Sequence, residues 1–283
     1  MENYEKRGYL NSEFRLFHLT GLEQHDFEFH YHEFDKVIIF IQGDVHYTIE
    51  GKTYTLEPYD VVLVNHNELH KPTIGVSVPY ERIIVYLSPS FLDRYRTPEY
   101  DLSDCFQKAR KQHSSVLRLR SAQKNRILKN ISDLEKACSE TGFANPLYCQ
   151  LLFLEFMIQL NRAAHNSGLK YMQTVSANPK ILELMKYINA NLTGDLSIES
   201  LSKRCFLSRY HMMRLFKEET GCTINSYIND KRLLAAREML ARNLPITQVC
   251  YDCGFHNYST FSRAYKKLFG ETPQNTRRNL FLS

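Results

Sequence analysis

The stretch Gly254-Phe255-His256-Asn257-Tyr258-Ser259-Thr260-Phe261-Ser262-Arg263-Ala264-Tyr265-Lys266-Lys267-Leu268-Phe269-Gly270-Glu271-Thr272-Pro273 decides the fold of the last third of the chain. Gly254 supplies the backbone freedom of a tight turn. Asn257 is a helix N-cap, because its side-chain oxygen can accept from the unpaired N–H groups of the first turn. The predicted helix runs from Tyr258 to Leu268. Phe261, Tyr265 and Leu268 recur at helical spacing and make its buried side. Ser259, Ser262, Arg263 and Lys266 are left on the outward side.

The same pattern occurs once before. Leu196-Ser197-Ile198 is matched by Leu244-Pro245-Ile246, an offset of 48. In the first copy Ile198, Leu201 and Cys205 form an apolar face, Phe206-Leu207 is the turn and Ser208 the N-cap. A second helix follows from Arg209 to Glu219, with Met212, Leu215 and Phe216 inward. Tyr210, Met213, Arg214 and Lys217 face outward, each 49 residues before its counterpart. In the second copy Ile246, Val249 and Cys253 form the first face. A short helix, a tight turn and a capped second helix outline a helix-turn-helix. The predicted helix between the copies, from Ile224 to Arg242, is suited to hold them rigidly. Residues 179–283 read as wholly helical, with breaks at Gly194, Gly221, Pro245, Gly254 and Gly270.

Charge points the same way. Residues 1–178 carry 20 Lys/Arg against 22 Asp/Glu, and residues 179–283 carry 16 against 9; the nets of −2 and +7 make up the chain's +5. A basic third suits a polyanion. A helix in the major groove must show base edges donors and small apolar groups. Arg can grip guanine with two hydrogen bonds, and Tyr or Met can touch thymine methyls. Lys at the rim can neutralise phosphates. If both units dock on one face of a duplex, their second helices sit roughly 34 Å apart.

Residues 9–90 read as β-rich. The strands are Val37-Ile38-Ile39-Phe40-Ile41, Val45-His46-Tyr47-Thr48-Ile49, Lys52-Thr53-Tyr54-Thr55-Leu56, Val61-Val62-Leu63-Val64 and Arg82-Ile83-Ile84-Val85-Tyr86-Leu87. Glu50-Gly51 is a hairpin turn. Short, regularly spaced strands suggest a sandwich or barrel. Residues 121–166 read as helical, with Ile127, Ile131, Leu134 and Cys138 on one face and Pro146 opening a second helix. That helix is apolar on several sides from Leu147 to Leu160, so it is buried on several sides, under the barrel or at a dimer interface. Asn166-Ser167-Gly168 ends it, and residues 167–178 read as a linker.

A chain of 283 residues with 43% hydrophobic and 24% charged residues is neither disordered, collagen-like nor a pure coiled coil. No window approaches the ~20 apolar residues of a membrane span. Met1-Glu2-Asn3-Tyr4-Glu5 lacks the pattern of a secretion signal. Seven scattered cysteines fit a reducing cytoplasm. Cys250 and Cys253 read as core packing of a short helix rather than a redox or zinc pair. Gly-rich phosphate loop, G-x-S-x-G and H-E-x-x-H motifs are absent from the sequence.

The C-terminal segment resembles the DNA-binding domain of AraC/XylS-type transcription regulators. The family pattern is a GF turn, an aromatic, R-x-F-K and G-x-T/S-P, and only Tyr265 departs, standing where Phe is usual. Leu207-Ser208-Arg209 and Arg214-Leu215-Phe216-Lys217-Glu218-Glu219-Thr220-Gly221 match in the first copy. The resemblance implies that Tyr210, Met213, Arg214, Ser259, Ser262 and Arg263 face DNA bases. Arg209, Lys217, Tyr258 and Lys266 complete the DNA-binding set. It also implies dimeric activators that contact RNA polymerase.

The N-terminal segment is similar to the cupin-type effector domain often joined to it. His30-Tyr31-His32 and Gly43 look like the first cupin motif; Pro58-Tyr59-Asp60 and Asn65-His66-Asn67-Glu68-Leu69-His70 look like the second. Metal-binding cupins add an acidic ligand where this chain has Lys36, and Tyr59 replaces the usual turn glycine. His30 and His32, two apart on a strand, point to one face, and with His70 could make a three-His metal site. A cation at Lys36 opposes a divalent ion, and Glu33 and Asp35 have the wrong strand parity. The site is therefore read as a small-molecule pocket with His30, His32, Lys36 and His70 on its wall, suited to an anionic or hydroxylated ligand. No catalytic residue, metal or cofactor is assigned.

The expected fold is α+β and multidomain. It comprises a cupin-like ligand-sensing β-barrel (1–120), a helical dimerisation segment (121–166), a linker (167–178) and an all-α domain with two helix-turn-helix units (179–283). The expected function is a cytoplasmic, homodimeric, ligand-responsive activator, not an enzyme. Its expected partners are an operator in double-stranded DNA, RNA polymerase and a small effector such as a sugar or sugar acid, with no membrane. The alternatives are a metal-dependent cupin enzyme fused to a DNA-binding domain, and a constitutive regulator without effector.

Overall fold

The computed structural model describes residues 10, 13–21, 27–75, 78–119, 121–165, 170–175, 178–242 and 244–280. The expected helix end at 166–168 and the N-terminal residues 1–5 lie outside them. The chain divides into two compact units, Met1–Ser176 and Ala177–Ser283.

The first unit runs β1 (Phe14–Gly21), β2 (Asp35–Gln42), β3 (Val45–Ile49), β4 (Lys52–Thr55), β5 (Val61–Val64), β6 (His70–Ile74), β7 (Tyr80–Leu87), α1 (Pro89–Asp93), α2 (Asp104–Lys111), β8 (Val116–Arg118), α3 (Ser121–Ser139), α4 (Asn145–His165) and β9 (Lys170–Tyr171). Its ladders form two sheets, ordered β1-β7-β2-β5-β8-β9 and β4-β3-β6. The N-terminal unit is β-rich as expected, and among the described residues its hydrogen-bonded ladders are these two, with a further bridge between His30 and His70.

Strand β2 shows why the sequence reads as an unbroken apolar run. Val37 and Ile39 pack with Val61, Leu63, Val85 and helix residues Phe153, Phe156 and Met157. Ile38 and Phe40 point the other way, into a core with Tyr47, Tyr54, Val62, Val64, Ile84 and Tyr86. A strand buried on both faces loses the polar alternation of a half-exposed one. The β3–β4 hairpin closes as expected: Ile49 pairs with Lys52. Glu50 and Gly51 both take positive φ, 46° and 74°, as a two-residue turn of this hand requires.

Three expectations change. Part of the expected linker is a strand: Lys170 and Tyr171 pair with Arg118 and Leu117, and the Val175 N–H donates to the Thr53 carbonyl. Cys138 is exposed, and Ala137 takes the buried position beside Leu134, because a 3.6-residue period drifts off a strict four-residue step. Helix α4 is buried on one side only. Phe153, Phe156, Met157 and Leu160 are inward, while Leu147, Leu151 and Ile158 are exposed.

The second unit runs α5 (Pro179–Ala190), α6 (Ile198–Cys205), α7 (Arg209–Thr220), α8 (Ile224–Ala241), α9 (Ile246–Asp252), α10 (Tyr258–Phe269) and α11 (Pro273–Leu280). Helix α8 serves both repeats. Tyr227 meets Phe216 of α7 with ring centroids 5.5 Å apart. Leu233, Ala236 and Leu240 join Val249, Cys250, Phe261 and Tyr265 in the second core. Cys250 and Cys253 are both buried there, with Cys253 Sγ 3.6 Å from Met239 Sδ. Cys205, its counterpart, is only half-buried.

Candidate functional site

The second helix of each repeat begins at the expected cap. Ser208 Oγ accepts from the His211 N–H at 3.3 Å, and Asn257 Oδ1 accepts from the Thr260 N–H at 3.0 Å. Both helices end at a left-handed glycine, Gly221 and Gly270. Phe216, Phe261 and Tyr265 are fully buried, which fixes the rotation of α7 and α10 about their axes. Arg209, Tyr210, Met213, Arg214 and Lys217 are exposed on α7, and Tyr258, Ser259, Arg263 and Lys266 on α10; Ser262 is half-buried. Leu215 and Leu268, expected inward, are also half-buried.

The arginines rest lightly on their own helices. Arg214 lies 3.9 Å from Glu218, both half-exposed, and Arg263 Nε donates to the Ser259 carbonyl at 3.3 Å. Exposed pairs of this kind are weak, so either guanidinium can exchange its partner for a base edge or phosphate. The departure at Tyr265 is accommodated: its hydroxyl donates to Thr276 Oγ1 of α11 at 3.1 Å, so the added polar atom is not stranded.

In the first unit His30, His32 and His70 converge. His30 lies outside the named strands and forms an isolated bridge with His70 at the start of β6. Their backbones exchange hydrogen bonds of 3.1 and 2.9 Å. The ring centroids are 5.0 Å apart for His30–His32, 4.4 Å for His30–His70 and 5.2 Å for His32–His70. All three are buried, as is Lys36, which is 2% exposed. The Lys36 ammonium lies 5.7 Å from the Tyr86 ring centroid. Burial and the Lys36 charge together push the His32 imidazole down to about 2 and hold His70 well below its usual range. Both are neutral at physiological pH.

Sequence reasoning missed the aromatic wall of this cluster. Phe34 stacks on His32 at 4.6 Å and meets Tyr86 at 4.3 Å. Phe34 shares the parity of His32 and Lys36, which could have found it; Tyr86 arrives only through the pairing of β2 with β7. Asp35, of opposite parity, accepts from His66 at 2.8 Å and stays out of the cluster.

An apolar two-sheet unit with a buried polar cluster, joined to a basic unit with two exposed helices, defines a ligand-binding transcription regulator of the helix-turn-helix class. The comparisons agree. Residues 16–157 match the AraC-like ligand binding domain, and residues 201–279 match a helix-turn-helix domain. The chain belongs to the AraC family of transcription regulators. It is 21% identical to the HTH-type transcriptional activator RhaS of Escherichia coli (strain K12 / DH10B) over 258 residues, 91% of this chain and 90% of RhaS. Among solved structures it is similar to ToxT from Vibrio cholerae (12% identity, 96% of this chain and 99% of that chain, TM-score 0.38). It is also similar to the C-terminal domain of AraT, a response regulator from Geobacillus stearothermophilus (28% identity, 36% of this chain and 86% of that chain, TM-score 0.35). Among the described residues, no helix is long and apolar enough to cross a membrane.

Proposed function

We propose that this regulator is a cytoplasmic, homodimeric activator that binds an operator through α7 and α10 and contacts RNA polymerase. The observation that carries the DNA reading is the matched exposure of Arg214 with Lys217 and Arg263 with Lys266 on two identically capped helices. Arg209, Tyr210, Met213, Tyr258, Ser259 and Ser262 complete the interface. Dimerisation is assigned to α4, where Leu147, Tyr148 and Leu151 are each more than half exposed. Such a stripe favours a second apolar surface.

The effector site is assigned to His30, His32, Lys36 and His70. A sugar acid suits it, because imidazoles exchange hydrogen bonds with hydroxyls and Lys36 offers a charge to a carboxylate. Binding shifts the population of effector-unit conformations and so the readiness of the DNA-binding units. A thermal-shift screen of sugars and sugar acids tests this, since a ligand at a hundred times its Kd stabilises by about 2.7 kcal/mol. Stabilisation that persists in Lys36→Met would remove the effector from this site. Selection of operator sequences from random DNA tests the DNA reading directly.

A further inference from the structure

A cavity of about 440 Å³ opens on the first unit between α3 and α4, within the roughly 300–1,000 Å³ of small-molecule sites. Each helix gives it a glutamine and, three residues later, an arginine: Gln123 with Arg126 on α3, Gln159 with Arg162 on α4. Residues three apart share a helix face, so both pairs turn toward the same space. Arg126 and Arg162 are exposed and Gln159 is 8% exposed, which puts the cations at the mouth and an amide on the floor. His165 lines the cavity as well, with Nε2 3.4 Å from the Asp104 carboxylate. The described lining residues all come from α3 and α4, not from the histidine cluster.

The polar groups of this cavity are unmatched. Among the described residues of the first unit, Arg94, Arg96, Arg110 and Arg118 each hold a carboxylate, and Arg15 and Arg82 each lie over an aromatic ring. Among the same residues, Arg126 and Arg162 have no carboxylate, ring or side-chain hydrogen bond. Gln123 Oε1 is buried without a hydrogen-bond partner, and the Gln159 amide has none among the described residues either. A buried amide left unmatched is destabilising until a partner arrives. Two guanidiniums without a carboxylate, on one cavity, suit an anion from outside the chain.

We propose that this cavity binds a small phosphate monoester that carries hydroxyl groups. The guanidiniums hold the phosphate, which bears about −1.5 to −2 charges at pH 7, and their planar forks match its oxygens. A carboxylate brings one charge where two cations converge, so the phosphate is preferred. The hydroxyls donate to Gln123 Oε1 and exchange hydrogen bonds with the Gln159 amide. Arg162 follows Ile158 by about one turn of α4, so the occupant sits at the end of the exposed stripe assigned to dimerisation.

The test is calorimetric titration of the full chain, in a buffer free of phosphate, with glucose 6-phosphate, ribose 5-phosphate, glycerol 3-phosphate and inorganic phosphate in turn. The expected result is one equivalent of at least one ester, bound at least about tenfold more tightly than inorganic phosphate. Arg126→Gln and Arg162→Gln, substitutions at exposed positions, each weaken the ester at least about tenfold. Gln159→Leu weakens it too and raises the melting temperature of the ligand-free chain, because an unmatched buried amide is exchanged for an apolar group. Uptake of none of the esters overturns the site. So does inorganic phosphate binding as tightly as the best ester, or ester binding undiminished in both arginine variants. Ester binding lost in Lys36→Met but kept in the arginine variants would place the anion at the histidine cluster and overturn it as well.

Discussion

Asp60 and Arg118 form a two-pronged ion pair: Arg118 Nε and Nη2 donate to the two carboxylate oxygens of Asp60, each at 2.9 Å. The carboxylate is 1% exposed and also accepts from the Glu57 N–H at 2.9 Å. The pair ties β8 to the turn that launches β5.

Arg118→Ala therefore leaves a buried carboxylate facing one N–H. Breaking a buried pair from one side costs about 3 kcal/mol. Urea unfolding of the first unit should show that loss with an unchanged slope. A change within about 0.5 kcal/mol, the range of ordinary surface substitutions, would reduce the pair to a surface contact.

Gly254 takes φ +82°, and a Cβ there would lie 2.6 Å from the Leu192 carbonyl oxygen and 2.9 Å from Arg232 Nε. Arg232 Nε itself donates to that carbonyl at 2.8 Å. Gly254→Ala combines an unfavourable backbone conformation, about 1–2 kcal/mol, with a collision. The expected outcome is a lowered melting temperature and weakened DNA binding, measured by calorimetry and anisotropy. An unaltered Tm would sink the steric account.

Arg214→Ala and Arg263→Ala should each weaken operator binding by roughly 1–3 kcal/mol and relax preference at one base position. Lys217→Ala and Lys266→Ala should weaken binding to all sequences alike and flatten its salt dependence. Anisotropy titrations on matched and scrambled duplexes at several salt concentrations separate the two behaviours.

His18 sits between Glu81, 2.9 Å away, and Glu135, 2.8 Å away. Burial alone would lower its pKa, but the hydrogen bonds and charges of the two carboxylates outweigh it and raise it above 6.5. The imidazolium thus joins β1, β7 and α3. Its contribution to stability is full below pH 6.5 and fades as pH rises through the raised value. NMR titration should find His18 above 6.5 in the wild type and lower in Glu135→Gln. Equal values in the two proteins would refute the linkage.

Leu151→Asp should turn a dimer into monomers without unfolding the first unit, because Leu151 is 56% exposed. Sedimentation velocity reads the mass, and an unchanged dimer would move the interface off α4.

The outward residues of α7 and α10 were legible because their signals are local. A cap, an inward triad and a terminal glycine lie within a dozen residues, so periodicity alone set the face of α7 and α10. The β2 run and the Glu50-Gly51 turn were legible for the same reason. The histidine cluster was legible only in part: His30 and His32 are neighbours in sequence, but His70 and Tyr86 join through pairings that no short window contains. Strand β9 escaped because two residues, Lys170 and Tyr171, carry no period. The exposed side of α4 could not be told from a buried one, since Leu151 and Leu152 look alike until the fold turns one outward.

Helix α8, 18 residues long, contributes Tyr227 to one core and Leu233 and Leu240 to the other, and Arg232 clasps the loop before α6. The two reading heads thus share one axle. If both units dock on one duplex, such a regulator should sense phase as well as letters: one base pair inserted between the two contacted segments rotates one of them by about 35° and should weaken binding even where every contacted base is correct.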